Sequence, residues 1–169
     1  MGFNRAMTSP YRICVVCSGN ICRSPMAEIV LRQALADAGL SEAVVVDSAG
    51  TGGWHVGSGA DDRALTALSG AGHDGSAHRV RRFEAGWLDE LDLVLCADTG
   101  HLRDVRRLAS GRDSDAQIRL LREFDPQARG DLDLADPYYG EQSDFQECLV
   151  QIDRAVAGVL EHVRAELSS

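Results

Sequence analysis

The stretch VVCSGNICRSP, residues 15–25, joins an apolar segment to a helical one. The segment before it, YRICVV at residues 11–16, is rich in β-formers and predicts a strand. After it, Ser24 is a candidate N-cap, Pro25 suits the first helical position, and apolar residues recur at helical spacing as far as Gly39. The stretch is therefore predicted to be a strand-to-helix loop, with its backbone amides at a helix N-terminus.

Strands and helices alternate along the rest of the chain. We expect further strands over 43–50, near 91–96 and within 114–124, and further helices over 60–72, 99–110 and 145–167. This alternation predicts an α/β fold with a four-stranded parallel sheet and helices on both faces. Ligands of such sheets bind at the carboxyl ends of the strands, where the first loop lies.

Length and composition narrow the class of protein further. The 169 residues suit one domain at 11–169 behind a flexible leader at 1–10. A net charge of −9 disfavours nucleic-acid binding, because it repels the phosphate backbone. No apolar run is long enough to cross a membrane, and no signal-peptide core precedes the first strand. Five cysteines favour reduced thiols in the cytoplasm, although export by a non-standard route stays open. The sequence is silent on oligomeric state, for which a monomer is the simplest expectation.

The cysteines do not form a metal-binding pattern. Cys17 and Cys22 supply too few ligands for zinc, and no His/Cys pair at metal spacing occurs elsewhere. Cys14, Cys96 and Cys148 fall in two predicted strands and a predicted helix, where a thiol packs as a small apolar group. We therefore expect no metal and no other cofactor.

The loop has the composition of a phosphate-binding site. Small residues that open a helix turn their amides inward and form an anion nest at the positive end of the helix dipole. The amides concerned belong to Ser18, Gly19, Asn20, Ile21, Cys22 and Arg23. The Arg23 guanidinium adds a planar fork for two phosphate oxygens. Cys17 would lie under the phosphorus, held as a thiolate by the same positive groups. A bare C-x5-R spacing is common, but C-x5-R-S between a strand and a helix is specific.

A phosphate ester needs a proton donor as well as a nucleophile. The acidic loop at 125–144 offers Asp131, Asp133 and Asp136. Their chemistry alone does not choose among them.

The segment CSGNICRSP resembles the signature C-x-G-N-I-C-R-S-P of the low-molecular-weight protein tyrosine phosphatases, in a bacterial, actinobacterial-like form. The resemblance runs from about Tyr11 to the last helix. It includes, in order, DSAGTGGWHVG (47–57), AHRVRR (77–82), DLVLCAD (92–98) and DPYYG (136–140). It implies metal-independent hydrolysis of phosphotyrosine through a cysteinyl-phosphate, with tyrosine-phosphorylated proteins as substrates and partners.

The resemblance also assigns catalytic roles. It implies Cys17 as the nucleophile, Arg23 as the clamp on the phosphate oxygens, and Asp136 as general acid and then general base. Ser24 is expected to donate a hydrogen bond to the Cys17 sulfur. The residues implied to support the loop are Asn20, Ser48 and His78.

Aromatic residues and the second loop cysteine complete the expectations. Trp54, Tyr138 and Tyr139 would wall a cleft for an aromatic ring, with one tyrosine facing the substrate and its neighbour packed inward. The resemblance implies that this tyrosine pair can itself be phosphorylated. For Cys22 it implies a reversible disulfide with Cys17 that protects the nucleophile. The other interpretation is a small side chain packed behind the loop.

Two other functions fit part of the pattern. An arsenate reductase of the same fold would need resolving cysteines on a mobile segment, whereas Cys96 and Cys148 are predicted in a strand and a helix. A non-catalytic phosphate-binding module would keep Arg23 but would need neither Cys17 nor Asp136.

Overall fold

The computed structural model describes residues 9–169. Of the leader expected at 1–10, residues 1–8 lie outside the described residues. The strands are β1 Tyr11–Cys17, β2 Val44–Gly50, β3 Leu93–Cys96 and β4 Gln117–Leu120. The helices are α1 Arg23–Asp37, α2 Asp62–Gly70, α3 Thr99–Ala109 and α4 Gln142–Ser168. Two 3₁₀ helices, Ala85–Asp89 and Leu121–Phe124, precede β3 and follow β4.

The four strands form one sheet in the order β2-β1-β3-β4, and every pairing is parallel. The register aligns the ends of the strands, with Cys17 beside Gly50 and Val16 beside Cys96. The loops that follow β1, β2 and β3 therefore leave the sheet at the same edge. The expected four-stranded parallel α/β fold is confirmed.

Alternate residues of β1 serve two separate cores. Ile13 and Val15 pack with apolar residues of α1, α2 and α4 on one face of the sheet. Cys14 and Val16 pack on the other face, with Val105 of α3 and the first 3₁₀ helix. Since both faces carry apolar residues, the strands are apolar throughout rather than alternating. Helices therefore cover both faces, as the sequence predicts.

The cysteines outside the loop are packing residues. Cys14, Cys96 and Cys148 are buried and free. Burial raises the pKa of Cys96 and of Cys148 to about 12, and it raises the pKa of Cys14 as well. These thiols stay protonated near neutral pH and are poor nucleophiles.

Helix α1 starts differently from the expectation. It begins at Arg23 with Cys22 as the N-cap residue, and no side chain caps it. The prediction that Ser24 is the N-cap is therefore wrong. The Ser24 hydroxyl contacts the Cys17 sulfur instead of the helix amides, and these amides stay uncapped, as the predicted anion nest requires.

The last helix lies very close to the second 3₁₀ helix. Helix α4 begins at Gln142, earlier than expected, and it passes Leu121–Phe124 at Gly158. A Cβ atom added to Gly158 would lie only 1.8 Å from the Phe124 carbonyl oxygen. Glycine is thus required here by close packing of two backbones.

Candidate active site

A network of side-chain hydrogen bonds holds the loop between β1 and α1. Asn20, in the middle of this loop, has a φ of +59°. This lies in the left-handed backbone region, which residues other than glycine rarely adopt. Its Nδ2 donates to Ser24 Oγ (2.7 Å) and to Ser48 Oγ (3.0 Å), and its Oδ1 accepts from the Arg81 backbone amide (3.0 Å). The His78 Nε2–H donates to the Asn20 carbonyl at 2.8 Å. The structure therefore brings together the four expected supporting residues, and their hydrogen bonds keep Asn20 in its unusual conformation.

Strand β2 supports the loop from the side. The amides that follow it, of Thr51 and Gly52, donate to the carbonyls of Cys17 (2.9 Å) and Ser18 (3.0 Å). A Cβ atom on Gly50 would lie 2.6 Å from the Ser18 carbonyl oxygen. Only glycine allows the loop to rest this closely on the end of β2.

The hydrogen-bond directions identify a donor to the Cys17 sulfur. Ser24 Oγ lies 2.9 Å from Cys17 Sγ, and both residues are buried. Ser24 Oγ accepts a hydrogen from Asn20, and towards a Cys17 thiolate, which can only accept, the Ser24 hydroxyl is the donor. This arrangement stabilises a negative charge on Cys17.

A carboxylate that the sequence did not identify ends this network. Ser48 donates to Glu28 Oε1 at 2.5 Å, and Glu28 is buried and also binds Arg32. The hydrogen bonds thus run in one direction from Asn20 through Ser48 to Glu28. Glu28 lies in the second turn of α1, 20 positions before Ser48, and no local pattern in the sequence marks this pair.

The Arg23 guanidinium is fixed from behind. Its side chain is 4% exposed, and Nη1 donates to Asp98 Oδ2 (2.9 Å) and to the Leu134 carbonyl (2.8 Å). Nη2 lies 3.6 Å from Asp136 Oδ2. Burial raises the pKa of Asp98. The hydrogen bond from Arg23 and the nearby positive charges lower that pKa by more, so the pKa of Asp98 lies below its ordinary value. Asp98 stays a carboxylate that orients Arg23.

Asp136 is the one carboxylate of the three candidates that lines the cavity above Cys17. Its Oδ1 accepts from the Tyr138 amide at 3.1 Å, and 44% of its side chain is exposed. Asp133 instead accepts from the backbone and hydroxyl of Thr99 (2.8 and 2.6 Å), and Asp131 accepts from the Asp133 amide (2.9 Å). The geometry therefore separates Asp136 from its neighbours.

The cavity has a volume of about 380 Å³. Its lining consists of Cys17, Ser18, Gly19, Ile21, Cys22, Arg23, Trp54, His55, Asp136, Tyr138 and Tyr139. The lining thus joins loop residues at the base with aromatic residues at the rim. His55, which the sequence did not single out, lies against Gly19.

The family model of the low molecular weight phosphotyrosine protein phosphatases matches residues 12–169. The chain belongs to this family. The low molecular weight protein-tyrosine-phosphatase of Streptomyces coelicolor is 52% identical to this phosphatase over 158 residues, covering 93% of this chain and 96% of the relative. Low molecular weight protein-tyrosine phosphatase A of Mycobacterium tuberculosis is 43% identical, over 96% of this chain and 97% of the relative. The crystal structure of YfkJ from Bacillus subtilis superposes with a TM-score of 0.85 at 30% identity, covering 94% and 97% of the two chains. The resemblance and the enzyme class expected from the sequence are confirmed.

The tyrosine pair of this phosphatase is arranged differently from the expectation. Tyr138 and Tyr139 pack edge to face at 4.9 Å, and both line the cavity. Tyr139 is 93% exposed and Trp54 is 74% exposed. The prediction that one tyrosine packs inward is wrong, because Arg63 and Phe145 occupy the space beneath Tyr138: the guanidinium carbon of Arg63 lies 5.5 Å from the Tyr138 ring centre and 4.5 Å from that of Phe145.

Arg63 connects the phosphate-binding loop of the phosphatase to the segment that carries Asp136. Its guanidinium donates to the Gly140 carbonyl (3.1 Å) and forms an ion pair with Asp61 (2.9 Å). The Asp61 amide in turn donates to the Ile21 carbonyl at 2.9 Å. The sequence missed this residue because 17 arginines make any one of them unremarkable.

Cys22 is buried and free. Burial and the nearby Asp61 carboxylate raise its pKa well above the ordinary thiol value. Cys22 is thus a thiol under ordinary conditions, which fits the packing interpretation. Its expected disulfide with Cys17 stays a prediction.

Within residues 9–169, no group of three or more His, Cys, Asp and Glu side chains is arranged to hold a metal ion. In the same part of the chain, no helix has the length and hydropathy needed to span a membrane.

Proposed function

We propose that the phosphatase hydrolyses phosphotyrosine in proteins through a cysteinyl-phosphate intermediate. The observation that carries this proposal is that Cys17, Arg23 and Asp136 line one cavity with aromatic residues at its rim. A nucleophile, a phosphate clamp and a proton donor are thereby available to one bound ester.

The phosphate group would bind to the amides of residues 18–23 at the N-terminus of α1 and to the guanidinium of Arg23. Asp98 and the Leu134 carbonyl hold Nη1, while Nη2 lies on the side of Asp136. A guanidinium fixed in this way stabilises the charge of the transition state without having to reorganise.

In the first step the Cys17 thiolate attacks phosphorus, and a sulfur–phosphorus bond forms as the bond from phosphorus to the phenolic oxygen breaks. The protonated carboxyl of Asp136 gives its proton to the leaving oxygen. The products of this step are tyrosine, a cysteinyl-phosphate and the Asp136 carboxylate.

In the second step the Asp136 carboxylate removes a proton from water, and the water oxygen attacks phosphorus. The sulfur–phosphorus bond breaks, phosphate is released, and the thiolate of Cys17 returns. The Ser24 hydroxyl, 2.9 Å from the sulfur, donates to the departing thiolate and makes it a better leaving group. Asn20, Ser48 and His78 act by holding the loop.

The aromatic rim supports an aryl phosphate as the substrate class. Trp54, Tyr138 and Tyr139 line the same cavity as Cys17 and offer ring faces and edges to a phenyl ring. We therefore propose tyrosine-phosphorylated proteins as partners. The cytoplasmic location and the monomeric state stay predictions; five free cysteines support a reducing compartment.

The test is hydrolysis of p-nitrophenyl phosphate and of a phosphotyrosine peptide, in the presence of a chelator. We expect Cys17→Ser to abolish turnover, and Asp136→Asn to lower kcat by a factor of about 10² to 10⁴. Asp131→Asn is the matched control, because Asp131 lies on the same segment but outside the cavity. Undiminished turnover by Cys17→Ser would refute the mechanism.

The wild-type protein also distinguishes the two alternative functions. An arsenate reductase would consume thiols when given arsenate, and a binding module would retain a phosphotyrosine peptide without hydrolysing it. Physiological substrates are accessible by trapping with Asp136→Ala, followed by mass spectrometry of the captured phosphoproteins.

A further inference from the structure

The start of helix α3 holds the phosphate-binding loop at both of its ends. Asp98, the N-cap residue of α3, binds Arg23 at the far end of the loop. His101, in the first turn of α3, places Nε2 at 2.8 Å from Ser18 Oγ at the near end. His101 is buried, with 4% of its surface exposed. Ser18 lines the cavity, so this contact reaches the place where phosphate would bind.

The second ring nitrogen settles the direction of the hydrogen bond between His101 and Ser18. The backbone N–H of Asp98 donates to His101 Nδ1 at 3.2 Å, so Nδ1 offers a lone pair. Asp98 Oδ1 also lies 3.2 Å from Nδ1, but it already accepts from the amides of Gly100 and His101. A neutral imidazole then carries its proton on Nε2 and donates it to Ser18 Oγ. The hydrogen of the Ser18 hydroxyl is consequently left for another acceptor.

We propose that His101 is a positioning residue that makes Ser18 a hydroxyl donor to a phosphate oxygen. This inference rests on the proposed phosphate chemistry of the loop. His101 touches neither the substrate nor the sulfur; it acts by filling the acceptor position of Ser18, so that the Ser18 hydroxyl points its hydrogen into the cavity. The Ser18 hydroxyl thus becomes a further hydrogen-bond donor to the phosphate, beside the backbone amides and Arg23.

The charges around His101 favour the neutral ring. Arg23 faces it from α1, Asp136 from the segment before α4, and Asp98 and Asp104 from its own helix. The three carboxylates raise its pKa, but burial and Arg23 lower it, and the net pKa lies below the ordinary value of 6.5. The neutral form therefore predominates at neutral pH and is lost as the pH falls through this lowered pKa.

Protonation would disturb the Arg23 end of the loop. A hydrogen on Nδ1 would face the Asp98 N–H that now donates to it, and it would compete for Asp98 Oδ1, which lies 3.2 Å from Nδ1 and accepts from the amides of Gly100 and His101. The same carboxylate orients Arg23 through Oδ2. An acidic pH would thus weaken the Arg23 clamp, whereas Nε2 keeps its hydrogen and its contact to Ser18.

The kinetic test compares Ser18→Ala, His101→Phe and their double variant in the hydrolysis of p-nitrophenyl phosphate. Each single change removes one donor to a charged group, and we expect each to lower kcat/KM about tenfold. The double variant should lose no more than either single one, because both remove the same hydrogen bond. Losses that multiply would overturn the proposal.

A conservative variant separates positioning from packing. Glutamine at position 101 supplies an amide N–H in place of Nε2 but does not titrate, so His101→Gln should retain most of the activity at neutral pH. Its kcat/KM should also fall less than that of the wild type below pH 6.5. Equal losses in His101→Gln and His101→Phe would contradict a donor role. His73→Gln, at the partly exposed turn after α2, is the matched control.

A spectroscopic test is independent of turnover. The ¹⁵N spectrum of the imidazole should show a protonated Nε2 and a bare Nδ1, and Ser18→Ala should shift the Nε2 signal. A proton on Nδ1 would overturn the inference even in an active enzyme. If instead the wild type fails to hydrolyse phosphotyrosine while this tautomer is found, the proposed function fails. The inference is then tested by the binding of inorganic phosphate. The affinity for phosphate should be weaker in Ser18→Ala and in His101→Phe than in the wild type, and unchanged affinity would overturn the inference.

Discussion

The hydroxyl of Ser24 lies 2.9 Å from the sulfur of Cys17, and its oxygen is already an acceptor for the Asn20 amide. A Cys17 thiolate can only accept, so the Ser24 hydroxyl donates its hydrogen to that sulfur. This relationship gives Ser24 a role that is greatest when negative charge returns to Cys17.

Replacing Ser24 by alanine should slow the second step more than the first. We expect kcat to fall about tenfold, because one hydrogen bond to a charged group is lost, and the cysteinyl-phosphate to accumulate. Rapid mixing with p-nitrophenyl phosphate should then show a burst of p-nitrophenol. Ser69→Ala, at an exposed position of α2, is the control, and absence of a burst in a slowed Ser24→Ala variant would contradict this role.

Replacing Arg63 by methionine should misplace the segment that carries Asp136. The variant keeps an apolar stem beside Phe145 but loses the hydrogen bond to Gly140 and the cation–π contact with Tyr138. We expect kcat/KM for a phosphotyrosine peptide to fall about tenfold. Arg103→Met, on the exposed side of α3, should leave kcat/KM unchanged. Equal kinetics of the two variants would show that Arg63 does not position this segment.

Cys22 should protect Cys17 from irreversible oxidation. Hydrogen peroxide oxidises the Cys17 thiolate to a sulfenic acid; attack by the Cys22 sulfur then forms the disulfide and releases water. Because the pKa of Cys22 is raised, this attack should become faster as the pH rises. After peroxide treatment, dithiothreitol should restore activity to the wild type but much less to Cys22→Ser.

Mass spectrometry of the oxidised wild type checks that prediction directly. The peptide containing residues 17 and 22 should lose the mass of two hydrogens and regain it on reduction. Equal recovery of wild type and Cys22→Ser would leave Cys22 with its packing role alone.

Replacing Gly158 by alanine should destabilise the protein, although alanine is the better helix former. A Cβ atom at Gly158 would meet the Phe124 carbonyl at 1.8 Å, which costs about 1–3 kcal/mol of unfolding free energy as overpacking. Gly70, the last residue of α2, has no atom within 4 Å of an added Cβ. Gly70→Ala should therefore be neutral or stabilising by up to ~1 kcal/mol. Urea unfolding of both variants measures the difference, and a stabilised Gly158→Ala would contradict the close approach.

The sequence was sufficient for the fold, for the family and for the position of the loop. Strand-to-helix alternation is a local signal, and Cys17, the loop amides and Arg23 all belong to one short segment. The sequence did not predict the residues that hold Arg23 from distant parts of the chain. Asp98 reaches Arg23 across 75 positions and Leu134 reaches it across 111, and no local pattern marks such pairs.

Side-chain directions account for the two wrong predictions. Ser24 has the residue type of an N-cap, but its hydroxyl binds the Cys17 sulfur, because α1 leaves its first amides free. Tyr138 has the residue type of a packed aromatic, but Arg63 already fills the space beneath it. In both cases a residue that is distant in the sequence, or lies in another element, determines the direction of the side chain, which the local residue type does not specify.

The contact between the Leu134 carbonyl and Arg23 links the order of the segment 131–140 to the position of the guanidinium. Arg23 touches this carbonyl and Asp136 at once, and the Leu134 amide also binds the end of β3 through Ala97. Local opening of the segment around 131–140 would remove one of the two acceptors that hold Nη1 and withdraw the Asp136 carboxylate in a single event. A protease cut within this segment should then weaken phosphate binding and impair the proposed proton transfer together.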